Sequence, residues 1–183
     1  EILEKIKEEI EYEGTIKYVL KHPHVLTNSQ PQYMLKVYCK EMCKDLVKCG
    51  CMPQKTWLLR FPYFLNEPLI RHFVRGYWDS DGHINKQYPS CTIVGNSFML
   101  HALAEYLPCN ISSFRYLPSI KYSNDVDKIT TCLKISKGSE VKKILYWMYG
   151  DCIEYLYLNR KYDLAQKYLC NYKYLHLKDR DKE

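Results

Sequence analysis

The chain matches itself. Shifted by 98 positions without a gap, Ile16-Lys17-Tyr18-Val19 falls on Phe114-Arg115-Tyr116-Leu117, and Leu35-Lys36-Val37-Tyr38 falls on Leu133-Lys134-Ile135-Ser136. Lys44 falls on Lys142, and Leu46-Val47 on Ile144-Leu145. Few residues are identical, but the chemistry agrees over two strand-like runs and a helix-like run. A repeat of this length constrains the fold more than composition does, because both copies must be the same supersecondary unit. The 183 residues hold one copy complete and one only in part.

In the complete copy, residues 68–80 predict a helix with Pro68 in its first turn. Residues 83–87 and 90–95 predict a hairpin across Tyr88-Pro89, and 97–107 a helix capped by Asn96 or Ser97. Residues 111–121 and 127–136 predict two strands joined at Ser123-Asn124-Asp125. Residues 138–148 predict a helix and 151–170 another. The order is αββαββα plus a C-terminal helix, an α+β class. The partial copy begins at its second helix, "EILEKIKEEI", and continues with strands near 14–20 and 32–38 and a helix near 40–49. The domain reading is therefore 1–50 for the later part of a first repeat, 51–67 for a linker, 68–150 for the complete repeat, and 151–183 for a C-terminal helix and polar tail. Trp57, Leu58, Leu59, Phe61 and Phe64 predict a linker that is packed down.

The net charge of +6 favours an anionic partner, although a plain basic globular protein has the same balance. The nine cysteines are odd in number and no secretory signal precedes them, which points to an intracellular, reducing compartment. Cys39, Cys43, Cys49 and Cys51 cluster, but their spacing matches no common zinc pair. Buried or half-buried free thiols are the better reading. No apolar run is long enough to span a membrane.

The most informative stretch is "VRGYWDSDG", Val74 to Gly82. On a helix, Leu69, Phe73 and Gly76 share one face, and Ile70, Val74, Tyr77 and Trp78 a neighbouring one. So broad an apolar surface predicts a largely buried helix. Gly76 costs roughly 1 kcal/mol relative to Ala inside a helix, so another backbone is expected close to it. Asp79 shares a stripe with Arg71 and Arg75 and has a local partner. Asp81 has none, and is expected just past the last helical turn, before a Gly82 free to take positive φ.

These residues resemble the motif of the LAGLIDADG homing endonucleases. The preceding segment from Gly50 to Pro62, "GCMPQKT" and then "FP", is similar to the one that often leads into the second motif of the two-repeat members. The αββαββα order and the repeat length agree, so the resemblance covers almost the whole chain. It implies a site-specific double-strand DNA endonuclease of intron or intein origin. It implies two motif helices side by side, each delivering one acid that holds a divalent cation, normally Mg²⁺, for hydrolysis of a phosphodiester on each strand. Carried over residue by residue, Asp81 is the catalytic acid and metal ligand, and Ser80 offers a backbone carbonyl as a further ligand. Asn96 falls where a polar residue helps position water. Lys134, with Lys36 in the partial copy, is the basic candidate near the phosphates. The first motif is missing: the counterpart of Asp81 would lie about 18 residues before Glu1. Another segment or another chain is expected to supply that helix.

Strand alternation sets the expected DNA-reading face. Ile129, Thr131, Leu133 and Ile135 should face the core, and Thr130, Lys134 and Ser136 the other way. Lys17, Lys36, Asn85, Gln87, Ser90, Thr92, Arg115, Thr130 and Lys134 are the candidate contacts to double-stranded DNA, on a sheet suited to the major groove. Two rivals stay open. One is a nucleic-acid-binding module of the same fold that does not cut, such as an RNA maturase or a regulator. The other is an α/β protein without a nucleic-acid partner, in which the DSDG run is only a helix end.

Overall fold

The computed structural model describes residues 1–19, 31–53, 58–110, 114–121, 129–150, 152 and 156–170, with backbone only at 114–121 and 129–130. The expected turn at 123–125, the linker residue Trp57 and the tail from 171 lie outside this set. The chain divides into two compact units, Glu1–Lys44 and Asp45–Glu183. It is a mixed helix and antiparallel-sheet protein, and no helix among the described residues is long and apolar enough to cross a membrane.

The first unit contains α1 (Ile2–Glu9), β1 (Lys17–Val19), β2 (Gln32–Met34) and the start of α2 (Lys40–Lys48). β1 and β2 pair antiparallel, with Lys17 opposite Met34. None of the described residues of this unit is buried. Both helices are amphipathic, yet neither has a buried residue. The four clustered cysteines are exposed, which corrects the expectation of buried or half-buried thiols.

The second unit holds the core. α3 (Glu67–Asp81) runs directly into β3 (Gly82–Ile84), and then come β4 (Cys91–Asn96) and α4 (Ser97–Tyr106). β5 (Phe114–Lys121), β6 (Ile129–Ile135), α5 (Gly138–Tyr149) and α6 (Asn159–Cys170) complete it. The sheet order is β3-β4-β6-β5, antiparallel throughout. Alternation decides its two faces. Cys91 and Ile93 on β4, and Thr131, Leu133 and Ile135 on β6, are buried; Thr92, Val94, Cys132 and Lys134 between them are not. The buried face packs under Trp78, Met99, Leu103, Leu145 and Met148 from the helices.

Two helices begin on an asparagine side-chain cap, α3 on Asn66 and α4 on Asn96. Asn66 caps α3 by accepting from the Leu69 amide, with Pro68 in the first turn, where a missing N–H costs nothing. α6 starts at Asn159 rather than 151: Leu156 to Leu158 are non-helical. The linker is packed down only in part. Phe61 is buried, stacked on Tyr106 at 4.7 Å and edge-on to Phe73 at 5.7 Å. Leu58 and Phe64 are exposed.

The repeat survives in element order, α1-β1-β2-α2 matching α4-β5-β6-α5, but not in strand register. Lys17 pairs with Met34, whereas Arg115 pairs with Lys134, the counterpart of Lys36. The difference is two residues. A two-residue slip keeps every side chain on its face, so the alternation pattern cannot detect it.

Candidate functional site

The motif helix α3 is two-faced rather than largely buried. Ile70, Val74, Arg75, Trp78 and Asp79 are buried. Leu69, His72, Gly76 and Ser80, spaced along the opposite side, are exposed. A Cβ at Gly76 would meet nothing within 4 Å. Among the described residues of this unit, then, no backbone sits against Gly76.

The two acids part company. Asp79 is in the core, not on an exposed stripe. Its Oδ1 accepts from the Tyr149 hydroxyl at 2.6 Å and its Oδ2 from the Leu158 amide at 3.0 Å. Burial, and then the Asp79 carboxylate, push the Tyr149 hydroxyl well above its ordinary range, so it stays a donor. The Arg75 guanidinium is also buried, donating to the Met148 carbonyl and contacting Cys152 Sγ. Asp81 is the last residue of the helix, exposed, with no hydrogen bond or ion pair to its carboxylate among the described residues. Its charge is felt by Tyr77, whose hydroxyl is pushed up to about 12, by burial first and by Asp81 second. Ser80 is exposed beside it and donates its hydroxyl to the Tyr77 carbonyl.

Gly82 does not use positive φ. It is extended, at φ −83°, and opens β3. Glycine is required there because a Cβ would lie 2.3 Å from Cδ1 of Trp78, which is fully buried.

Sequence reasoning missed Lys161. It is the only buried lysine among the described residues. From α6 its ammonium donates to the carbonyls of Trp78 (2.6 Å), Asp79 (2.7 Å) and Gly82 (2.6 Å). Three N–H groups meet three acceptors at the negative end of a helix, where a cation is favoured. Burial lowers its pKa, while Asp79 and Asp81 act the other way. The sequence signal is faint: Lys161 falls on an apolar-periodic run like any helix-face lysine. α6 is pinned twice more. Gln166 donates to the Tyr149 carbonyl, and the Tyr168 hydroxyl sits between the carbonyls of Asn85 and Tyr88, donating to one at a time.

The sheet residues, with His83 beside the candidates, sort into three groups. His83, Thr92 and Lys134 are register partners in turn across β3, β4 and β6; His83 is exposed and the other two are half-buried. Arg115 is the β5 partner of Lys134, and Thr130 the partner of Asn96. The side chains of Arg115 and Thr130 lie outside the described set. Lys17 is exposed on β1; Lys36 is exposed but lies beyond β2.

The remaining candidates are corrected. Ser90 is buried and cannot touch a partner. Asn85 and Gln87 are not on a strand, because the hairpin closes at Ile84. Asn85 is a turn former: its Oδ1 accepts from the amides of Gln87 and Tyr88. Gln87 is exposed in that turn. Asn96 is buried and engaged at both ends of its amide, its Oδ1 capping α4 at the Met99 amide and its Nδ2 donating to the Leu59 carbonyl. Its amide is committed to helix capping and to the linker, and its burial sets it apart from the exposed carboxylate of Asp81.

No protein-family model matches the sequence, and no curated protein matches it.

Among the described residues, no group of three or more His, Cys, Asp or Glu could hold a metal ion. Asp81 offers hard carboxylate oxygens of the kind Mg²⁺ prefers, and Mg²⁺ commonly takes only one or two carboxylates with substrate phosphate completing its shell. The residues present therefore fit one side of a shared cation site and not a closed one.

Proposed function

We propose that this chain is part of a metal-dependent, site-specific DNA endonuclease with the LAGLIDADG fold. The observation that carries the reading is Asp81: an exposed carboxylate with no hydrogen bond or ion pair among the described residues, at the end of a helix whose inner face is locked into the core. Asp81 and the Ser80 carbonyl are the residues that would hold the cation. When bound with a scissile phosphate, the cation supplies positive charge to the attacking and leaving oxygens of a phosphodiester hydrolysis. The open stripe of Leu69, His72, Gly76 and Ser80 would receive a second acid-bearing helix, from an upstream segment or another chain, and Gly76 lets the two backbones approach.

The His83, Thr92 and Lys134 row supplies a polar and cationic sheet face for a duplex. Lys134 would contact phosphate, and Thr92 a base edge or phosphate. The same row supports the second reading, a nucleic-acid binder of this fold that does not cut.

The test is a cleavage assay with the complete gene product on its cognate site, scored strand by strand, beside binding in Ca²⁺. Asp81→Asn should abolish cutting of at least one strand and leave binding intact or improved, because it removes a negative charge that faces phosphate. Normal cutting of both strands by this variant would sink the catalytic assignment. Cation-independent binding with no cutting by the unaltered protein would favour the binder.

A further inference from the structure

We infer that Lys161 is a positioning residue for Asp81. The inference rests on the endonuclease reading for its consequence in catalysis, but its structural part stands on its own. Lys161 is on α6, outside the motif and outside the repeat that carries it. Its ammonium holds the carbonyls of Asp79 and Gly82, the backbone on either side of Ser80 and Asp81. Its third bond, to the Trp78 carbonyl, ties the same point to the last turn of the helix. A helix passing into a strand with no intervening loop has to change direction over one or two residues. Here α3 ends at Asp81 and β3 begins at Gly82, and the ammonium sits inside that corner.

Among the described residues Asp81 has no hydrogen bond of its own to fix it, so its place is set by the backbone that bears it. A carboxylate meant to share a cation with a phosphate gains from being held before the cation arrives. Lys161 does this from behind, without touching the carboxylate. Its three protons are fully used on carbonyls, so it has none to offer the acid and leaves both Asp81 oxygens to an outside cation.

The test uses Lys161→Met, which keeps the length and removes the charge and donors. Lys161→Gln, a neutral donor, is the second variant in case the first does not fold. In the chain itself, amide exchange at residues 80–84 should accelerate, with β6 and α5 unchanged and Lys161→Gln intermediate. In the complete product, the Mg²⁺ concentration for half-maximal cutting should rise roughly 10- to 100-fold, the usual cost of losing a residue that supports a metal ligand. DNA binding in Ca²⁺-free buffer should not change. Unchanged exchange at 80–84, or exchange accelerated equally across the whole unit, overturns the inference. So does normal Mg²⁺ dependence in a variant that folds. If the unaltered protein cuts no DNA while exchange at 80–84 still responds to Lys161→Met, the corner is held as inferred and the endonuclease reading alone falls.

Discussion

The Tyr149 hydroxyl donates to Asp79 Oδ1 at 2.6 Å, joining residues 70 positions apart in the interior of the second unit. One acid of the DSDG run is thus an element of the core, and only the other faces outward. A hydrogen bond to a buried charge contributes about 1.5–3 kcal/mol, more than an exposed ion pair. Tyr149→Phe should lower unfolding stability by that amount in urea titration, and Asp79→Asn by a similar amount. A loss below about 0.5 kcal/mol for both would mean that the pair is not formed in solution.

The two glycines of the motif should respond in opposite directions. Gly82→Ala places a Cβ 2.3 Å from the buried Trp78 ring and should destabilise by about 1–3 kcal/mol. Gly76→Ala meets nothing and should stabilise the chain by about 0.5–1 kcal/mol, because alanine is the better helix former. Thermal melts of the two variants decide this. Under the proposed function, Gly76→Ala should still impair cutting by the complete product, since its methyl group would stand between two helices.

Lys134 should carry one phosphate contact. Lys134→Gln should reduce the slope of log affinity against log salt by about 1 for any duplex, cognate or not. Ser90→Ala should leave the slope unchanged, because Ser90 is buried. Equal slopes for wild type and Lys134→Gln would remove Lys134 from the interface.

Glu140 gives a pH dependence. Its Oε2 accepts from the Asn110 amide and its Oε1 pairs with Lys143. The Asn110 hydrogen bond, opposed by burial and helped by Lys143, holds its carboxyl below the ordinary value of 4.5. A pKa depressed in the folded state adds stability that is fully present above 4.5 and is lost as pH falls through the folded value. The stability gap between wild type and Glu140→Gln should therefore be constant near neutrality and narrow below about pH 4.5. A gap that widens on acidification would reverse the assignment.

Much of the fold was legible because it follows from local rules. Period-two alternation placed Leu133 and Ile135 inward, and Pro68 and Asn96 marked helix starts. What was not legible depends on which face of an element meets which neighbour. The α3 helix reads as apolar nearly all round, yet Leu69 and Gly76 are open while Arg75 and Asp79 are buried. Composition would rank these residues the other way; the Tyr149 hydroxyl and Leu158 amide donate to Asp79, and the Met148 carbonyl and Cys152 Sγ accept from Arg75, and these partners reverse it. Asn85, Ser90 and Asn96 have side chains that suit either a surface or a turn; backbone groups took Asn85 and Asn96, and Ser90 is buried. The two-residue register difference between the hairpins leaves no trace in alternation. Lys161 became visible only once the end of α3 lay beside α6.

Asn96 ends up explaining a choice of residue. Serine, threonine or aspartate would cap α4 about as well, since each offers an oxygen to the Met99 amide. None of them offers an N–H on the other side. At this position the second arm of the side chain must donate to the Leu59 carbonyl, the point where the incoming linker is fastened beside buried Phe61. Aspartate would set oxygen against oxygen there while leaving the helix properly begun. Asn96→Asp would thus spare the helix cap and loosen the point at which the linker is fastened to the unit.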